Sequence, residues 1–416
     1  MTHASTWPDR GNITLLKIAM VSKVYPRSHY TLFLGRALEQ IGLGRIRPMF
    51  YRSRSEGIPP DIEGIKDVWS QNILYPFQIF RQVVRDRPGV VHVQHEFGMF
   101  GGPMTALMFP TLLALLKIAG TRTIVTIHAI VPPSMIDSEF AKTFSMPAKS
   151  WPLLRLALVS IYQVTVALPT ALIVHARSHK SLLQLSYFAR PTKISVIPIG
   201  VPDQLRKTPS SHKWRNMLHG RKVILFFGYL TGRKGVDYLL RAFSQLAHLY
   251  PNWVLVVAGG KLGYSAPYIE SLRKLMTDLR IEDSVIMITT TPFPLDELDE
   301  LFNLSEFVVL PYVLPVGGGS LVLSYAMQHA KPVIVSDSDV MRELVCDGEE
   351  GLLCKSGDVD SLRAAMKMLM ENPSLRENFS IAMRAKAERL SWTRVAEATC
   401  DLYVNLSQGG RKLTPC

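Results

Sequence analysis

Short apolar runs alternate with helical patterns along this chain, and they do so twice. In the first half, residues 17–22, 90–94, 123–127, 171–174 and 194–197 are brief runs dominated by Val, Ile and Ala. Segments of helical spacing separate them, such as 30–41, where Leu34, Ala37, Leu38 and Ile41 fall on one face. Runs of this length, bounded by turns and separated by helices, read as buried strands of parallel βαβ units. The pattern pauses over 198–222, where Pro202, Pro209, serines and charges gather as in a domain linker. It then restarts, with strands expected at 223–227, 253–258, 285–288, 307–310 and 332–335, helices at 236–249 and 269–279, and a mostly helical tail over 360–406. The fold class is therefore α/β: two Rossmann-like, doubly wound domains facing a central cleft. Ligands in such sheets bind beyond the carboxyl ends of the strands. Expected bounds are 1–205 for the first domain and 206–390 for the second, with a final helix over 391–416.

Charge divides the two halves. Residues 1–205 hold 22 Lys and Arg against 11 Asp and Glu, whereas the rest holds 25 against 23, so most of the net +13 belongs to the first half. A field of that sign favours anionic surfaces or solutes. No nucleic-acid motif accompanies it, so a nucleic-acid partner is not expected. Four cysteines, none in a Cys-x-x-Cys pair, leave no disulfide scaffold or zinc site to propose, and a reducing cytoplasm is the expected compartment. Residues 1–12 are polar and carry no secretory signal. The uncharged stretch 156–174 is nearly long enough to span a bilayer, but Gln163 and Pro169 interrupt it; it reads as a buried helix over 152–168 and a buried strand over 171–174. Residues 104–119, broken at Pro110, read as a core helix or one lying in a membrane interface.

Three glycine-rich loops follow strands of the second half. The first, from Gly228 to Gly235, joins a strand to a helix and carries Arg233 and Lys234 where the helix begins. Backbone amides, the helix dipole and two cations then converge on one spot, which suits a diphosphate. The second contains Gly259 and lacks the full dinucleotide fingerprint. The third, Gly317-Gly318-Gly319-Ser320-Leu321, precedes a helix and lets amides approach an anion closely. Asp337-Ser338-Asp339 spells Asp-x-Asp but trails a strand, so it reads as a cap for a helix from Val340 onward, with a metal role as the lesser alternative. His92 and His95 fall on opposite faces of a strand, which argues against a metal cluster and leaves His95 and Glu96 as polar groups at the cleft mouth.

At these residues the chain resembles glycosyltransferase family 4, the retaining nucleotide-sugar transferases of GT-B fold. The resemblance is carried by 196–201, by 227–243, by 256–259, 309–312 and 330–337, by 347–353, and by Ser391-Trp392, which matches the start of a last helix that returns to the first domain. It implies that Gly228, Arg233, Lys234, Gly259, Gly317, Gly318, Gly319, Ser320, Leu321 and Tyr325 line a GDP- or UDP-sugar donor site. It implies that His128 stands near the reacting sugar as the catalytic residue, and that His29, His95 and Glu96 lie on the acceptor side. A structural role at the end of a strand is the alternative for His128. No obligatory cofactor or metal is expected.

The sequence departs from the family where it usually carries two glutamates. Gly317 and Tyr325 stand at those positions; glycine offers only backbone, and tyrosine a hydroxyl that the donor ribose would accept or donate to. The expected activity is hexosyl transfer from a nucleotide sugar to a glycan or lipid-linked acceptor at the cytoplasmic face of the membrane. The basic helix expected over 74–87, with Phe77, Phe80 and Val84 among Arg81, Arg85 and Arg87, reads either as an ordinary half-buried helix or as a docking element for an anionic membrane surface. The competing function is a non-catalytic relative that binds a nucleotide or a partner subunit.

Overall fold

The computed structural model describes residues 15–23, 29–42, 45–54, 64–96, 98–143, 146–202, 213–218, 220–260, 265–290, 293–313 and 319–408. The strands are β1 (Leu16–Val21), β2 (Ile46–Ser53), β3 (Ile65–Trp69), β4 (Val90–His95), β5 (Thr123–Ile127), β6 (Ala171–Val174) and β7 (Ile194–Val196), then β8 (Lys222–Phe227), β9 (Trp253–Gly259), β10 (Val285–Thr289), β11 (Ser305–Leu310), β12 (Val333–Ser336) and β13 (Gly351–Cys354). They form two sheets, ordered β3-β2-β1-β4-β5-β6-β7 and β10-β9-β8-β11-β12-β13. Every pairing is parallel. Each sheet reverses its winding once, between β1 and β4 and between β8 and β11. Such reversals leave a crevice at the strands' carboxyl ends, because the connections leave in opposite directions.

The apolar runs are continuous because parallel strands are covered on both faces. Val223, Ile224, Leu225 and Phe226 of β8 are all essentially inaccessible, as are Val254, Leu255 and Val257 of β9. One large core fills the second domain, and two smaller ones lie on either face of the first sheet.

The last helix, Trp392–Ser407, packs on His29–Ile41 of the first domain. Its entry is clamped by the chain that connects the sheets: Val201 N donates to Leu390 O at 2.7 Å and Trp392 N donates to Val201 O at 3.1 Å. A Cβ on Gly200 would lie 2.4 Å from the Trp392 ring, so the close approach of indole to backbone requires glycine there. Ser391 caps the helix by accepting from Arg394 N.

Several expectations change. The helix Trp151–Ala167 is not buried as a whole: Leu158, Ile161, Tyr162 and Val166 face the core, whereas Leu153 and Leu156 are 71% and 65% exposed. The reason is its place in an outer layer, with one side on Phe109–Ile118 and Arg177–Tyr187. Among the described residues, Ala148–Ala167 is the one helix long and apolar enough to cross a membrane. The apolar stretch near 104–119 splits into Pro103–Ala106 and Phe109–Ile118, with Pro110 in the first turn of the second, where its missing N–H costs nothing. The helix after β12 starts at Asp339, one residue early; Ser338 is its cap and Asp337 instead pairs with Arg342. Cys346, Cys354 and Cys400 are free thiols.

Candidate functional site

The second domain builds its wall from the turns after β8 and β11. Gly232–Lys234 forms a short 3-10 turn, and Gly235, at φ +66°, caps the helix Val236–Ala247. Arg233 and Lys234 therefore stand one turn before the helix rather than inside it. A Cβ on Gly235 would lie 2.0 Å from Pro311 O, so this turn is pressed against the end of β11. That contact brings the Lys234 ammonium 3.5 Å from the centre of the Tyr312 ring. Tyr312, which no motif singled out as a site residue, reaches on to Ser320, with 3.3 Å between hydroxyls. Ser320 in turn caps the helix Leu321–Gln328 by accepting from Leu323 N.

Burial drives the Lys234 ammonium well below its ordinary pKa; Arg233 beside it pushes the same way and Glu96 opposes. Glu96 belongs to the other wall, just past β4. The protein around it raises its carboxyl, against the pull of Arg233, Lys234 and Lys23. Its side chain is exposed. Two carboxyl-terminal sheet edges thus oppose a carboxylate to a pair of cations.

The rest of the first-domain wall is a hydrogen-bonded row. His128, just past β5, has Nε2 at 2.8 Å from the Gln94 side-chain oxygen Oε1 and Nδ1 at 3.0 Å from His175 Nε2. His175 Nδ1 donates to Ile197 O at 2.9 Å. Gln94 continues to His92 at 3.2 Å, and His92 reaches the Thr126 and Tyr403 hydroxyls at 2.6 Å each. The Tyr30 ring packs against both His128 and His175. Burial lowers every one of these histidines: His92 to about 3, His175 to about 4, and His128 well below its ordinary range with His175 adding to the effect.

The expected residues distribute unevenly. Arg233 and Lys234 interact with Glu96 across the domains, Lys234 reaches Ser320 through Tyr312, and His128 is joined through His175 to the neighbourhood of Gly319. Gly319 lies at the junction of the domains, where a Cβ would be 2.7 Å from Ile199 Cδ1 and 3.6 Å from His175 Cβ. Gly259 has a packing reason to be glycine, since a Cβ would fall 1.7 Å from Gly228 O. Leu321 is partly buried against the second core. Tyr325 is 5% exposed and its ring lies against Phe302, leaving little surface for a ribose. His95 is buried against Phe109, on the face opposite His92, and burial holds it near 4. Gly317 and Gly318 lie outside the described residues, as does the side chain of His29. Sequence reasoning missed Tyr30, His92 and Gln94 as partners of His128, and His175 altogether. The polar alternation of His92 and Gln94 within an apolar strand was the available signal.

A second contact joins the domains. Glu343 accepts from Arg177 N and Ser178 N, each at 2.6 Å, capping a first-domain helix with a second-domain carboxylate.

This architecture is the GT-B fold. Solved structures of that fold superpose along nearly the whole chain. HepE of Anabaena in complex with UDP-glucose matches with a TM-score of 0.71 over 94% of this chain and 100% of its own, at 16% identity. Sucrose-phosphate synthase of Thermosynechococcus elongatus matches with a TM-score of 0.74 over 94% and 99%, at 16% identity. Residues 210–386, most of the second domain, match the family model of glycosyl transferases group 1. Among curated relatives, an uncharacterized glycosyltransferase of Haemophilus influenzae is 29% identical over 204 residues, 49% of this chain and 53% of that protein. The GDP-mannose-dependent alpha-(1-6)-phosphatidylinositol monomannoside mannosyltransferase of Mycolicibacterium smegmatis is 27% identical over 208 residues, 48% and 53%. The chain spans about half the length of the curated relatives it matches.

Proposed function

We propose that this protein is a retaining hexosyltransferase of the family 4 type. It takes a sugar from a GDP- or UDP-sugar bound against the second domain and passes it to a glycan or lipid-linked acceptor held by the first. The observation that carries this reading is the convergence of Arg233 and Lys234 on the crevice wall that Glu96 and His128 face. The bond to break is the anomeric C–O of the donor, and the electron pair leaves with the diphosphate. Negative charge on that leaving group grows as the bond lengthens, and two cations already fixed there stabilise it without reorganising, an effect worth several kcal/mol in comparable sites. Donor binding restores the proton preference of Lys234, because a diphosphate outweighs the burial that disfavours its charge. The acceptor hydroxyl loses its proton to the departing diphosphate oxygen, so no enzyme nucleophile is required. His128 stands beside the transferred sugar.

Exposed apolar side chains support action at the cytoplasmic membrane surface. Tyr75–Asp86 packs on Phe109–Ile118, and that helix on Trp151–Ala167. On or just before these helices Ile73, Leu74, Phe77, Met104, Leu153 and Leu156 are exposed, as are Arg81, Arg85 and Arg155. An amphipathic basic surface of this kind suits an anionic bilayer carrying a lipid-linked acceptor.

Turnover tests the reading. Incubation with UDP-glucose, GDP-mannose and related donors, with release of free nucleotide diphosphate measured, is expected to single out one donor class. The second reading, a nucleotide-binding subunit without catalysis, is favoured by the packing of Tyr325 against Phe302 where relatives place a glutamate. Nucleotide binding with no diphosphate release from any donor would establish it.

A further inference from the structure

We propose that His175 is a positioning residue for His128: it fixes which ring nitrogen of His128 keeps its proton, and it does so packed beside Gly319 of the second domain. The inference deepens the function proposed above and rests on the placement of His128 beside the transferred sugar.

The first step is a count of donors and acceptors. A backbone carbonyl only accepts, so the 2.9 Å contact to Ile197 O requires a proton on His175 Nδ1. Burial keeps His175 neutral, so its Nε2 carries a lone pair. That lone pair faces His128 Nδ1 at 3.0 Å, and the bond exists only if His128 Nδ1 is the donor. The remaining nitrogen, Nε2, is then the single position on His128 that can gain or lose a proton.

Its neighbour is built to follow either state. When His128 is neutral, Gln94 turns its amide N–H toward Nε2 and its oxygen toward His92 Nε2–H, while His92 Nδ1 accepts from the Tyr403 hydroxyl. When His128 Nε2 is protonated, it donates to the Gln94 oxygen. The amide nitrogen then donates to His92 Nε2, and His92 Nδ1–H donates to Tyr403. The amide is seen in the second orientation, with Gln94 Oε1 at 2.8 Å from His128 Nε2 and Gln94 Nε2 at 3.2 Å from His92 Nε2; the first differs by one proton fewer on His128, a half-turn of the amide, the other tautomer of His92 and a turn of the Tyr403 hydroxyl. His175 is the same in both, and this is what makes it the fixed end of the row.

The titratable groups facing His128 are His92 and His95 of β4, His175 after β6 and Tyr30 of the first helix. His175 is faced in turn by His179, and the helix that carries His179 begins at the amides capped by Glu343. Among the described residues none of these supplies a fixed charge beside the His128 ring, so burial keeps the ring neutral and hydrogen-bond geometry decides which nitrogen holds its proton.

The second step is the contact with the other domain. A Cβ on Gly319 would come within 3.6 Å of His175 Cβ and 2.7 Å of Ile199 Cδ1. Gly319 of the second domain therefore packs directly against the residue that orients His128, and a side chain there would press on it.

The test reads the tautomer directly, by 15N chemical shifts of histidine-labelled full-length protein at pH 7.5, with the His128 signals assigned by their loss in His128→Asn. The wild type is expected to show a protonated Nδ1 and a lone pair on Nε2. His175→Leu, which removes the acceptor, is expected to shift His128 toward the Nε2–H tautomer or a mixture. His175→Gln, whose amide oxygen replaces the acceptor, is expected to restore the wild-type pattern, and melting curves of both variants establish that they are folded. An Nε2–H tautomer in the wild type, or an unchanged His128 in folded His175→Leu, would overturn the proposal. A second readout uses whichever of UDP-glucose or GDP-mannose the wild type turns over. There kcat is expected to fall about 10–100-fold in His175→Leu, the size of effect seen when the hydrogen-bond partner orienting a metal-bound histidine is removed. The change is expected to spare KM and to be largely rescued in His175→Gln, and a loss confined to KM would contradict the assignment. The two failures are distinguishable: an intact tautomer result with His128→Asn fully active removes His128 from the reaction centre and leaves the tautomer lock standing.

Discussion

Lys234 holds its ammonium 3.5 Å above the centre of the Tyr312 ring. An ammonium over an aromatic face gains roughly 0.5–2 kcal/mol, more when desolvated. Tyr312→Phe keeps that face and loses only the hydroxyl contact to Ser320, so binding of the cognate nucleotide diphosphate is expected to change by less than about threefold. Tyr312→Leu removes the face and is expected to weaken binding about 2–30-fold, as that energy range implies. Calorimetric titration of both variants checks the order, and equal binding by both would detach the ring from the lysine's function.

The clamp between Gly200 and Trp392 predicts a stability effect far from the crevice. Trp392 is 3% exposed and touches Tyr30 and Phe33 of the first helix. Trp392→Ala is expected to cost about 3–5 kcal/mol, the range for emptying a buried aromatic site. Gly200→Ala pushes a methyl into the indole and is expected to cost about 1–3 kcal/mol. Urea unfolding measures both. A Gly200→Ala midpoint equal to the wild type would mean that the close approach is not needed.

Acid should destabilise this protein early. His92 is held near 3, and His95, His175 and His179 near 4, whereas the same groups titrate near 6.5 once unfolded. Between those values the unfolded chain binds more protons than the folded one, so stability rises with pH from about 4 to 6.5 and is lost as pH falls through that window. Each histidine contributes a slope of up to about 1.4 kcal/mol per pH unit. Carboxylates held low, such as Glu343, act only below the ordinary carboxylate range and do not cancel this trend. Urea midpoints at pH 7.5, 6.0 and 5.0 are expected to fall steadily; a flat profile would contradict the buried neutral row.

Vesicle binding tests the membrane surface. Vesicles with about one-third anionic lipid are expected to bind the protein, and salt is expected to weaken that binding because exposed charges are screened. Leu153→Ser with Leu156→Ser removes apolar area from an exposed helix face and is expected to reduce binding while leaving the melting temperature within a degree or two. Binding that ignores both salt and these substitutions would argue for another docking face.

Much of the fold was legible because β1, β4 to β6, β8 and β9 are covered on both faces and announce themselves as apolar runs. β2 was not, since Arg47, Pro48 and Arg52 interrupt it; Arg52 is tolerated inside because it pairs with Asp67 at 2.6 Å. β3, Ile65–Trp69, is an edge strand with Lys66 and Asp67 in its middle, and β13 is only four residues long. The cations of the site were legible because glycines around Arg233 and Lys234 mark a turn after a strand. The histidine row was not. His92 and Gln94 of β4, His128 after β5, His175 after β6 and Tyr403 of the last helix are far apart in the chain, and only the sheet order β4-β5-β6 sets the first four side by side. Tyr325 shows the opposite case: a position matched to a ligand contact was filled by a ring that the second core absorbs.

The central claim is that Arg233 and Lys234 hold a nucleotide diphosphate at the crevice. Calorimetric titration of UDP and GDP into the wild type and Lys234→Ala tests it most directly. The account predicts measurable binding of one nucleotide by the wild type, weakened at least tenfold in the variant, which must melt within a few degrees of the wild type. Equal affinity in the two proteins would contradict it.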